Sequence, residues 1–367
     1  MSEFKASGFR DEFGSGGPDL VGITTMTSPY YFVPPSGSTA ERPQSPPPGM
    51  LRFNTDIGRL EVWRNDHWAT ILGETSASIA ARGLYGGGDP DTNVIQYVTL
   101  ATTGDSIDFG DLSRGHRHVA ACASRTRAVF GGGYKTGPGA TNVMEYVEVA
   151  TLGNAVDFGD RSSTTGHSWG ALSNSVRGLW ISTASANNVI DFFTFTSTGN
   201  TTDFGDNTFT VRDPAGLSSP TRGIIGGGVA NNNDISYVTI ASEGNAVDFG
   251  DLSFVQSGTG ANYGRATGSN GVRGVFGPHN ESPTAVYQYI TISSTGNTQY
   301  FGDYLVSNEF SAGSSSSTRM IASGTNNPSV NNIDYIQIAT TGDAKDFGDL
   351  IQLAPVSGAC SNGHGGL

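Results

Sequence analysis

Acidic side chains spaced three residues apart could bind a cation in this chain. Asp105, Asp108 and Asp111 have this spacing, and carboxylate oxygens are preferred ligands of Ca²⁺. Two observations favour a structural role instead. The first position of the trio is Asn in several copies of the pattern, such as Asn154 and Asn200, and the spacing differs from that of an EF-hand loop. We therefore expect the aspartates that flank each Phe-Gly pair, such as Asp108 and Asp111, to accept hydrogen bonds from turn amides, with calcium binding as the alternative.

A second group of polar and aromatic residues could bind a ligand. Two histidines and two arginines precede one candidate strand, and a histidine with a tryptophan holds the same place one repeat later. Such side chains can contact a glycan or a peptide on loops that a rigid scaffold brings together. The alternative is ordinary loop polarity. The predicted binding face, near the axis about which the repeats are arranged, consists of Arg114, His116, Arg117, His118, His167 and Trp169.

Enzyme signatures are weak in this chain. The triple glycines at 86–88, 131–133 and 226–228 lack the Lys-Ser/Thr pair of a phosphate-binding loop. We find no His-Glu-x-x-His motif and no carboxylate pair set apart from the repeats. Residues that recur in every repeat belong to the scaffold, so catalytic residues should stand at positions where one repeat differs from the others. We therefore expect binding without turnover, and neither a cofactor nor a metal.

The tetrapeptide Asp-Phe-Gly-Asp recurs along the chain. Five copies are intact and a sixth begins with Tyr300, at intervals of 49, 46, 45, 52 and 46 residues. A period in this range indicates one supersecondary unit built six times. The glycine permits a bend or a positive φ, and we expect the phenylalanine to fill the space between units. The six phenylalanines are Phe109, Phe158, Phe204, Phe249, Phe301 and Phe347.

Each unit contains four candidate strands, which the second unit illustrates. Small residues form a first strand at 118–123, a second strand at 127–133 runs into a glycine turn, and two more follow at 142–149 and 155–160. Four antiparallel strands make one blade of a β-propeller. Small side chains suit the crowded axis, and bulky aromatic residues of the third strands fill the wider space between blades. The sequence predicts an all-β fold with a six-bladed propeller over residues 81–367.

The two ends of the propeller are expected to meet. The repeats begin at a second strand, with Arg82, and the chain ends on 358–362, which resembles the first strand at 121–124. The C-terminal segment should therefore supply the first strand of the blade that Arg82 begins, which removes an open sheet edge. Cys122 and Cys360 then occupy equivalent places in adjacent blades. We favour two buried small side chains there over a disulfide.

The order of parts in a blade resembles the Kelch family. Kelch blades run from a first strand with His and Ala to an aromatic-Gly-Gly strand, followed by Asn and a Val-Glu-x-Tyr strand. The resemblance covers residues 82–367 and implies a Kelch-like propeller, although the outer strand carries Asp-Phe-Gly-Asp where Kelch has a tryptophan. The matching residues are His118, Ala120, Phe130 to Gly132, Asn142, Glu145 and Tyr146.

The N-terminal quarter is different in composition. Residues 1–48 are rich in Pro, Gly and Ser and predict an extended arm. Tyr30, Tyr31, Phe32 and Val33 make it too apolar for a free tail, so we expect it to order against another surface, or else to fold back on the propeller.

Residues 49–74 alternate between polar and apolar side chains and predict a three-stranded β-meander. So few residues cannot bury enough apolar surface to fold alone. The meander should therefore pack on a neighbour or on copies of itself, and we expect Trp63 and Trp68 to take part in this anchoring.

The meander resembles a short module of bacteriophage (cyanophage-like) virion structural and appendage proteins. The match covers about residues 40–71 and rests on Leu-Arg-Phe-Asn-Thr at 51–55, Leu-Glu-Val-Trp at 60–63 and His-Trp at 67–68. The resemblance implies a virion protein, assembled in the host cytoplasm, with a fibre-like, neck or tail position. Residues 1–72 would join other virion proteins and form a homo-oligomer such as a trimer, while the propeller contacts a protein or a host-surface glycan.

Two alternatives of other classes stay open: a capsid decoration or joining protein without a host ligand, and a polysaccharide-degrading enzyme.

The net charge of the chain argues against one class of partner. The chain has a formal charge of -13, which disfavours nucleic acid because phosphate backbones require a basic surface. The N-terminus lacks the apolar run of a signal peptide, and no stretch is long and apolar enough to predict a membrane span.

Overall fold

In the computed structural model, the chain forms two compact units, residues 1–75 and 76–367. The part that the structure describes contains no α-helix, which confirms the predicted all-β class. The described residues are 34–64, 66–70, 81–165, 170–181, 187–211, 213–228, 233–253, 266–277, 286–305, 311–326, 329–353 and 357–363.

The first unit contains a four-stranded sheet. Its strands are β1 (Ser36–Gly37), β2 (Leu51–Asn54), β3 (Arg59–Arg64) and β4 (His67–Thr70), and a short 3₁₀ helix spans Thr39–Glu41. Strands β2 to β4 occupy the predicted meander and pair antiparallel.

The fourth strand, β1, belongs to the segment predicted as an extended arm, and it pairs parallel with β2. The prolines before it have no N–H, but the Pro35 carbonyl accepts a hydrogen bond from the amide of Phe53 at 2.7 Å. The end of the arm is therefore an edge strand of this sheet.

The second unit consists of six antiparallel sheets among the described residues. In each sheet the strands pair in the order first, second, third, fourth. The sheets are numbered along the chain. Sheet 1 contains β29 (Gly358–Ser361), β5 (Arg82–Gly86), β6 (Thr92–Thr99) and β7 (Ile107–His116), and sheet 2 contains β8 (Ala120–Ala123), β9 (Arg127–Gly131), β11 (Gly139–Glu148) and β12 (Val156–Thr165), with β10 (Tyr134–Lys135) beside β11.

Sheet 3 contains β13 (Ala171–Ser173), β14 (Arg177–Ile181), β15 (Asn187–Thr194) and β16 (Thr202–Val211), and sheet 4 contains β17 (Ala215–Ser218), β18 (Arg222–Gly226), β19 (Asp234–Thr239) and β20 (Val247–Asp251). Sheet 5 contains β21 (Thr267–Ser269), β22 (Arg273–Phe276), β23 (Val286–Thr291) and β24 (Gln299–Asp303), and sheet 6 contains β25 (Ala312–Ser315), β26 (Arg319–Asn326), β27 (Ser329–Gln337) and β28 (Lys345–Asp349).

The C-terminal strand belongs to the first sheet. Strand β29 pairs antiparallel with β5, so that Cys360 lies opposite Leu84 and Ala359 opposite Tyr85. The amide of Arg82 also donates to Asn362 Oδ1 at 2.8 Å. This is the pairing of chain ends that the sequence predicted.

The phenylalanine of each tetrapeptide is buried, with at most 2% of its surface exposed. Each packs edge-on against an aromatic residue of the third strand in its own sheet, at centroid distances of 5.8 to 6.1 Å, a geometry favoured by aromatic pairs. The pairs are Tyr97 with Phe109, Tyr146 with Phe158, Phe192 with Phe204, Tyr237 with Phe249, Tyr289 with Phe301 and Tyr335 with Phe347.

The carbonyl of the same phenylalanine binds the next sheet. It accepts a hydrogen bond of 2.7 to 2.9 Å from a glycine amide in the turn before the next fourth strand. The sixth bond, from the Gly104 amide to the Phe347 carbonyl, returns from sheet 6 to sheet 1. The other bonds run from Gly153 to Phe109, Gly199 to Phe158, Gly244 to Phe204, Gly296 to Phe249 and Gly342 to Phe301.

The aspartates of the tetrapeptide act differently from the expectation. We expected them to accept hydrogen bonds from turn amides. Instead, the backbone N–H of the second aspartate donates to the Asn or Asp side chain that follows the turn glycine of the next sheet, as from Asp160 to Asn200 Oδ1 at 3.0 Å. Between sheets 6 and 1, Asp105 is this acceptor, for the Asp349 amide. The Asn or Asp at the first position of the trio is therefore a link between sheets.

A repeated arginine was missed in the sequence. Each second strand begins with an arginine whose guanidinium lies 4.3 to 4.9 Å from the centroid of the aromatic ring on its own third strand. Each also donates to a backbone carbonyl of the following sheet, and Arg319 reaches Leu100 of sheet 1. The other bonds are Arg82 to Val149, Arg127 to Phe195, Arg177 to Ile240, Arg222 to Ile292 and Arg273 to Ile338.

The contact between sheets predicts an unequal effect of two glycine substitutions. Gly159 and Gly199 both have positive φ, but a Cβ on Gly159 would lie inside van der Waals contact with the Gly199 carbonyl, whereas a Cβ on Gly199 would meet nothing within 4 Å. Gly199→Ala should cost about 1 kcal/mol of strain, and Gly159→Ala roughly 1–3 kcal/mol more because two backbones must separate. Equal melting temperatures of the two variants in calorimetry would contradict the packing of these sheets.

Candidate functional site

The predicted binding residues of the second unit lie where the chain passes from sheet 1 to sheet 2. Strand β7 ends at His116, and Arg117 and Tyr134 exchange two backbone hydrogen bonds of 2.8 and 3.0 Å. Of the six predicted residues, His167 and Trp169 lie outside the described residues. Among the described residues, Arg114 and His116 lie at the end of β7, and Arg117 and His118 lie between β7 and β8.

The guanidinium of Arg117 is held by groups of both sheets. It contacts Asp89 Oδ1 at 3.1 Å and Asp91 Oδ1 at 3.8 Å, and it lies 5.3 Å from the ring centroid of Tyr134. The other oxygen of Asp91 accepts the amide of Thr136 at 2.7 Å. Arg117, Asp89 and Tyr134 stay partly exposed, so this mixed-charge patch can offer both charges and an aromatic ring to a ligand.

His116, the last residue of β7 and the neighbour of Arg117, is buried. Burial, followed by the charges of Arg114 and Lys135, lowers the pKa of His116 to about 4, so its ring is neutral at pH 7. Its carbonyl accepts the Gly88 amide at 2.8 Å. His116 therefore supports the crossing segment and presents no charge to a ligand at pH 7.

Two of the triple glycines have a structural role where the chain passes from sheet 1 to sheet 2, which we call the crossing. A Cβ on Gly87 or on Gly133 would lie 3.1 Å from Val119 Cγ2, and close to the backbone carbonyls of His116 and Arg117 respectively. Both glycines also have positive φ. The glycine turns of sheets 1 and 2 thus enclose the segment 116–119, which accounts for them without a bound phosphate.

A separate cavity of about 110 Å³ lies among the first strands of all six sheets. A water needs roughly 10–15 Å³ measured this way, so several waters fit. The lining residues are Ala, Gly, Ser, Cys and other small or apolar types, and none of those within the described ranges is charged. Arg114, His116, Arg117 and His118 are not among them, so the crossing patch and the cavity are different places.

Serine hydroxyls link the first strands around this cavity. Ser218 Oγ donates to the carbonyl of Ser173 at 2.5 Å, and Ser269 Oγ donates to that of Ser218 at 2.6 Å. Ser173 and Ser315 make the same bond to Ala123 and Ser269. The small side chains predicted for these strands therefore also hold neighbouring sheets together.

Both cysteines line the cavity as free, buried thiols. Burial raises the pKa of Cys122 and of Cys360, which keeps them protonated and unreactive at neutral pH. The preference for two buried small side chains over a disulfide agrees with this arrangement.

One buried polar position recurs on the third strands and faces the preceding sheet. In sheet 2, Glu145 Oε1 accepts the amide of Ser113 at 3.1 Å, and in sheet 5, Gln288 Oε1 accepts that of Ser253 at 3.0 Å. All six residues at this position are buried. They are Gln96, Glu145, Asp191, Ser236, Gln288 and Asp334.

Sheet 6 departs from this pattern. Asp334 Oδ1 accepts from Asn332 Nδ2 at 3.1 Å on its own strand, and Oδ2 has no partner among the described residues. Nearby, the rings of Tyr287 and Tyr304 stack at 4.1 Å, and their buried hydroxyls also lack partners within the described ranges. Burial raises the pKa of both phenols, and raises that of Asp334 to about 6.

Sheets 2 and 3 show a second departure, where a buried arginine replaces the leucine found after the tetrapeptide in sheet 1. The guanidinium of Arg161 lies 5.3 Å from the ring centroid of Trp180. Burial lowers the pKa of Arg161 to about 10, while the nearby Asp191 acts in the opposite direction. The sequence itself marks these departures: Arg161 and Tyr304 share a position at which three of the six repeats have leucine, and Tyr287 holds a position at which four have isoleucine.

The segment Gly166-His167-Ser168-Trp169-Gly170 has the spacing of a hydrolase nucleophile elbow. Such an elbow requires a strand, a sharp turn and then a helix. Residues 166–169 lie outside the described residues, but Gly170 leads directly into β13, which is a strand. The motif therefore lacks the structural context of that enzyme class.

In the first unit, Trp63 and Trp68 are opposite each other on β3 and β4, with ring centroids 5.6 Å apart. Both are half-buried. Tyr30, Tyr31, Phe32 and Val33, the other predicted anchoring residues, lie outside the described residues.

No protein-family model matches the chain, and a search of curated proteins finds no match. In the described part, no three His, Cys, Asp or Glu side chains come together as a metal-binding group, and no helix is long and apolar enough to cross a membrane.

The departure at Asp334 predicts a pH-dependent stability. The pKa of Asp334 in the folded protein, about 6, lies above the ordinary 3.8. The contribution of Asp334 to the free energy of unfolding is therefore fully present below pH 3.8 and is lost as the pH rises through 6. Asp334→Asn should therefore melt a few degrees higher than the parent at pH 7.5, since two pKa units correspond to about 3 kcal/mol at most. The gain should vanish at pH 4.

Asp191→Asn is the matched control, because Asp191 Oδ2 accepts hydrogen bonds from Ser162 and Thr201. It should lower the melting temperature at pH 7.5. A gain in this control, or no gain in Asp334→Asn, would contradict the contrast between the two sheets.

Proposed function

We propose that residues 81–367 form a six-bladed, Kelch-like β-propeller, and that the chain is a bacteriophage virion structural protein with a fibre-like, neck or tail position. Residues 1–72 would anchor it to other virion proteins, and the propeller would bind a protein or a host-surface glycan. The observation that carries this proposal is the cyclic series of contacts between the six sheets.

The propeller is supported by contacts that return to their start. The first strands contact one another in sequence order, and β29 lies between β25 and β8. The bond from Gly104 to Phe347 and the bond from Arg319 to Leu100 join sheet 6 to sheet 1 as the equivalent bonds join the other sheets. Six sheets around one cavity is the arrangement expected of six blades around an axis.

Binding is favoured over turnover by what the recurring residues do. The aspartate, phenylalanine and glycine of the tetrapeptide, and the arginine of the second strand, are all engaged in contacts within and between sheets. The cavity lining offers hydroxyls, thiols and carbonyls without a charged group among the described residues. The partly exposed patch of Arg117, Asp89 and Tyr134 is the best surface for a glycan or peptide.

A virion role is supported by the sequence likeness of residues 40–71 to a phage module, and by the separate compact unit that these residues form. A stable propeller with its own small attachment unit suits an appendage that must survive outside a cell. In this proposal only the first unit has to be built into the particle.

Removal of residues 1–48 should abolish incorporation into particles. The deletion removes β1 and Arg42 from the first unit and leaves the second unit untouched. We expect circular dichroism and melting of the truncated protein to retain the main β transition. Purified particles from cells that express it should contain less than a tenth of the normal copies by quantitative mass spectrometry.

A deletion of residues 1–33 tests the preceding arm alone, because it retains β1 and Arg42 and removes the predicted anchoring residues 30–33, and we expect it to lower incorporation as well. Full incorporation of the 1–48 deletion would refute anchoring by the N-terminal region. Release of reducing ends from host envelope polysaccharide by the full-length protein would favour the enzyme alternative. Hundreds of copies per particle would favour capsid decoration.

A further inference from the structure

The sheet of the first unit buries a face that carries Arg52, Asn54 and Glu61 beside the Trp63–Trp68 pair, called the polar face, and exposes its aliphatic face. On β2, Arg52 and Asn54 are buried, whereas Leu51 is 45% exposed. On β3, Glu61 is fully buried and its neighbour Leu60 is 37% exposed. Small sheets normally show the reverse order, because the burial of an apolar face is what holds them together.

The polar face is occupied by the chain that precedes β2. Glu61 accepts hydrogen bonds from Arg42 at 2.6 and 3.2 Å, from Arg52 at 2.8 Å and from Asn54 at 3.2 Å. Arg52 also donates to the Ser38 carbonyl at 3.0 Å. The pKa of Glu61 is lowered, first by its hydrogen bond to Arg42, so the carboxylate is charged at neutral pH. This side of the sheet is therefore already filled and paired.

The other side carries a continuous apolar surface without a charged residue at its centre. Leu51 lies opposite Val62, which lies opposite Ala69, and Phe53 lies opposite Leu60. We call these five residues the apolar sheet face. Ile57, at the turn between β2 and β3, adds further apolar surface and is 44% exposed. A face of this kind marks an interaction site.

We propose that the apolar sheet face packs against the same face of a second copy of this chain. Charge favours a like partner, because residues 34–70 contain four basic and four acidic side chains and carry no net charge, although the chain as a whole carries -13. The charged or titratable side chains on this side of the sheet, Arg64 and His67, lie opposite each other at the end of β3 away from Leu60, so two such faces can meet without like charges at their centre.

The form of the sheet also favours contact through the face over contact through the β1 edge. Strand β1 is only two residues long and follows Pro34 and Pro35, which cannot donate to an added strand. Two sheets that pack face to face at about 10 Å interdigitate their side chains and form a core. Leu51, Phe53 and Leu60 would be central to it, and an identical patch on each copy makes the contact self-complementary.

This inference rests on the proposed anchoring role of residues 1–72 and gives a contact surface to the homo-oligomer expected from the sequence. It is tested in solution, apart from any particle. The full-length protein should sediment as an oligomer at micromolar concentration. Leu60→Glu and Leu60→Lys should each weaken self-association at least tenfold and sediment as monomers. Val272→Glu, on an exposed valine of the second unit, should keep the oligomer.

An equal mixture of the two Leu60 variants separates loss of contact from loss of folding. If Leu60 meets its counterpart near the contact, the glutamate and lysine attract each other and the mixture should associate again. Recovered association supports the proposal. A monomeric parent protein, an oligomer that survives both single variants, or a mixture that stays monomeric would overturn it. None of these results depends on incorporation into particles, so the two proposals fail separately.

Discussion

The second unit depends on a hydrogen bond between neighbouring sheets, from a turn glycine amide to the carbonyl of the tetrapeptide phenylalanine. The bond is short in all six places, and the sixth joins the last sheet to the first. It requires close approach of two backbones, which accounts for the glycine at Gly159, whereas Gly199 has room for a Cβ and is favoured by its positive φ. The same phenylalanine packs on an aromatic ring of its own sheet and on apolar residues of the next sheet, as Phe158 does on Tyr146 and Phe193, so one residue serves both the packing and the pairing between sheets.

The other repeated contacts extend this one. The arginine of each second strand lies on the aromatic ring that the phenylalanine contacts, and then reaches the next sheet, as Arg127 does from Tyr146 to Phe195. Serine hydroxyls repeat the linkage around the cavity. Because these contacts run in the same direction around the unit, each sheet is held by its neighbours on both sides. Functional residues are therefore best sought where a repeat departs from this scheme, as at Asp334, or on the crossing near Arg117.

Much of this architecture could be read from residue order. The period, the four strands of each unit, the small first strands and the pairing of the C-terminus with Arg82 to Gly86 follow from local pattern and repetition. The binding face could not be placed in the same way. Arg117 and Asp89 are 28 residues apart in the chain and meet only because sheets 1 and 2 adjoin. The burial that lowers the pKa of His116 likewise arises only in the folded protein and is not visible in the residues beside it in sequence.

By itself, the sequence determined the all-β class, the sixfold repetition and the residues that recur, because strand period and turn chemistry act over a few residues. Tertiary structure alone decided which partner each recurring group takes. The second aspartate of the tetrapeptide donates its amide to the next sheet, a choice that depends on an Asn or Asp about one repeat away. It also decided that the first unit buries Glu61 and exposes Leu60, because two arginines brought in by the arm and β2 pair with that carboxylate. An ion pair buried by a neighbouring segment can thus reverse the face that alternation alone would place inside.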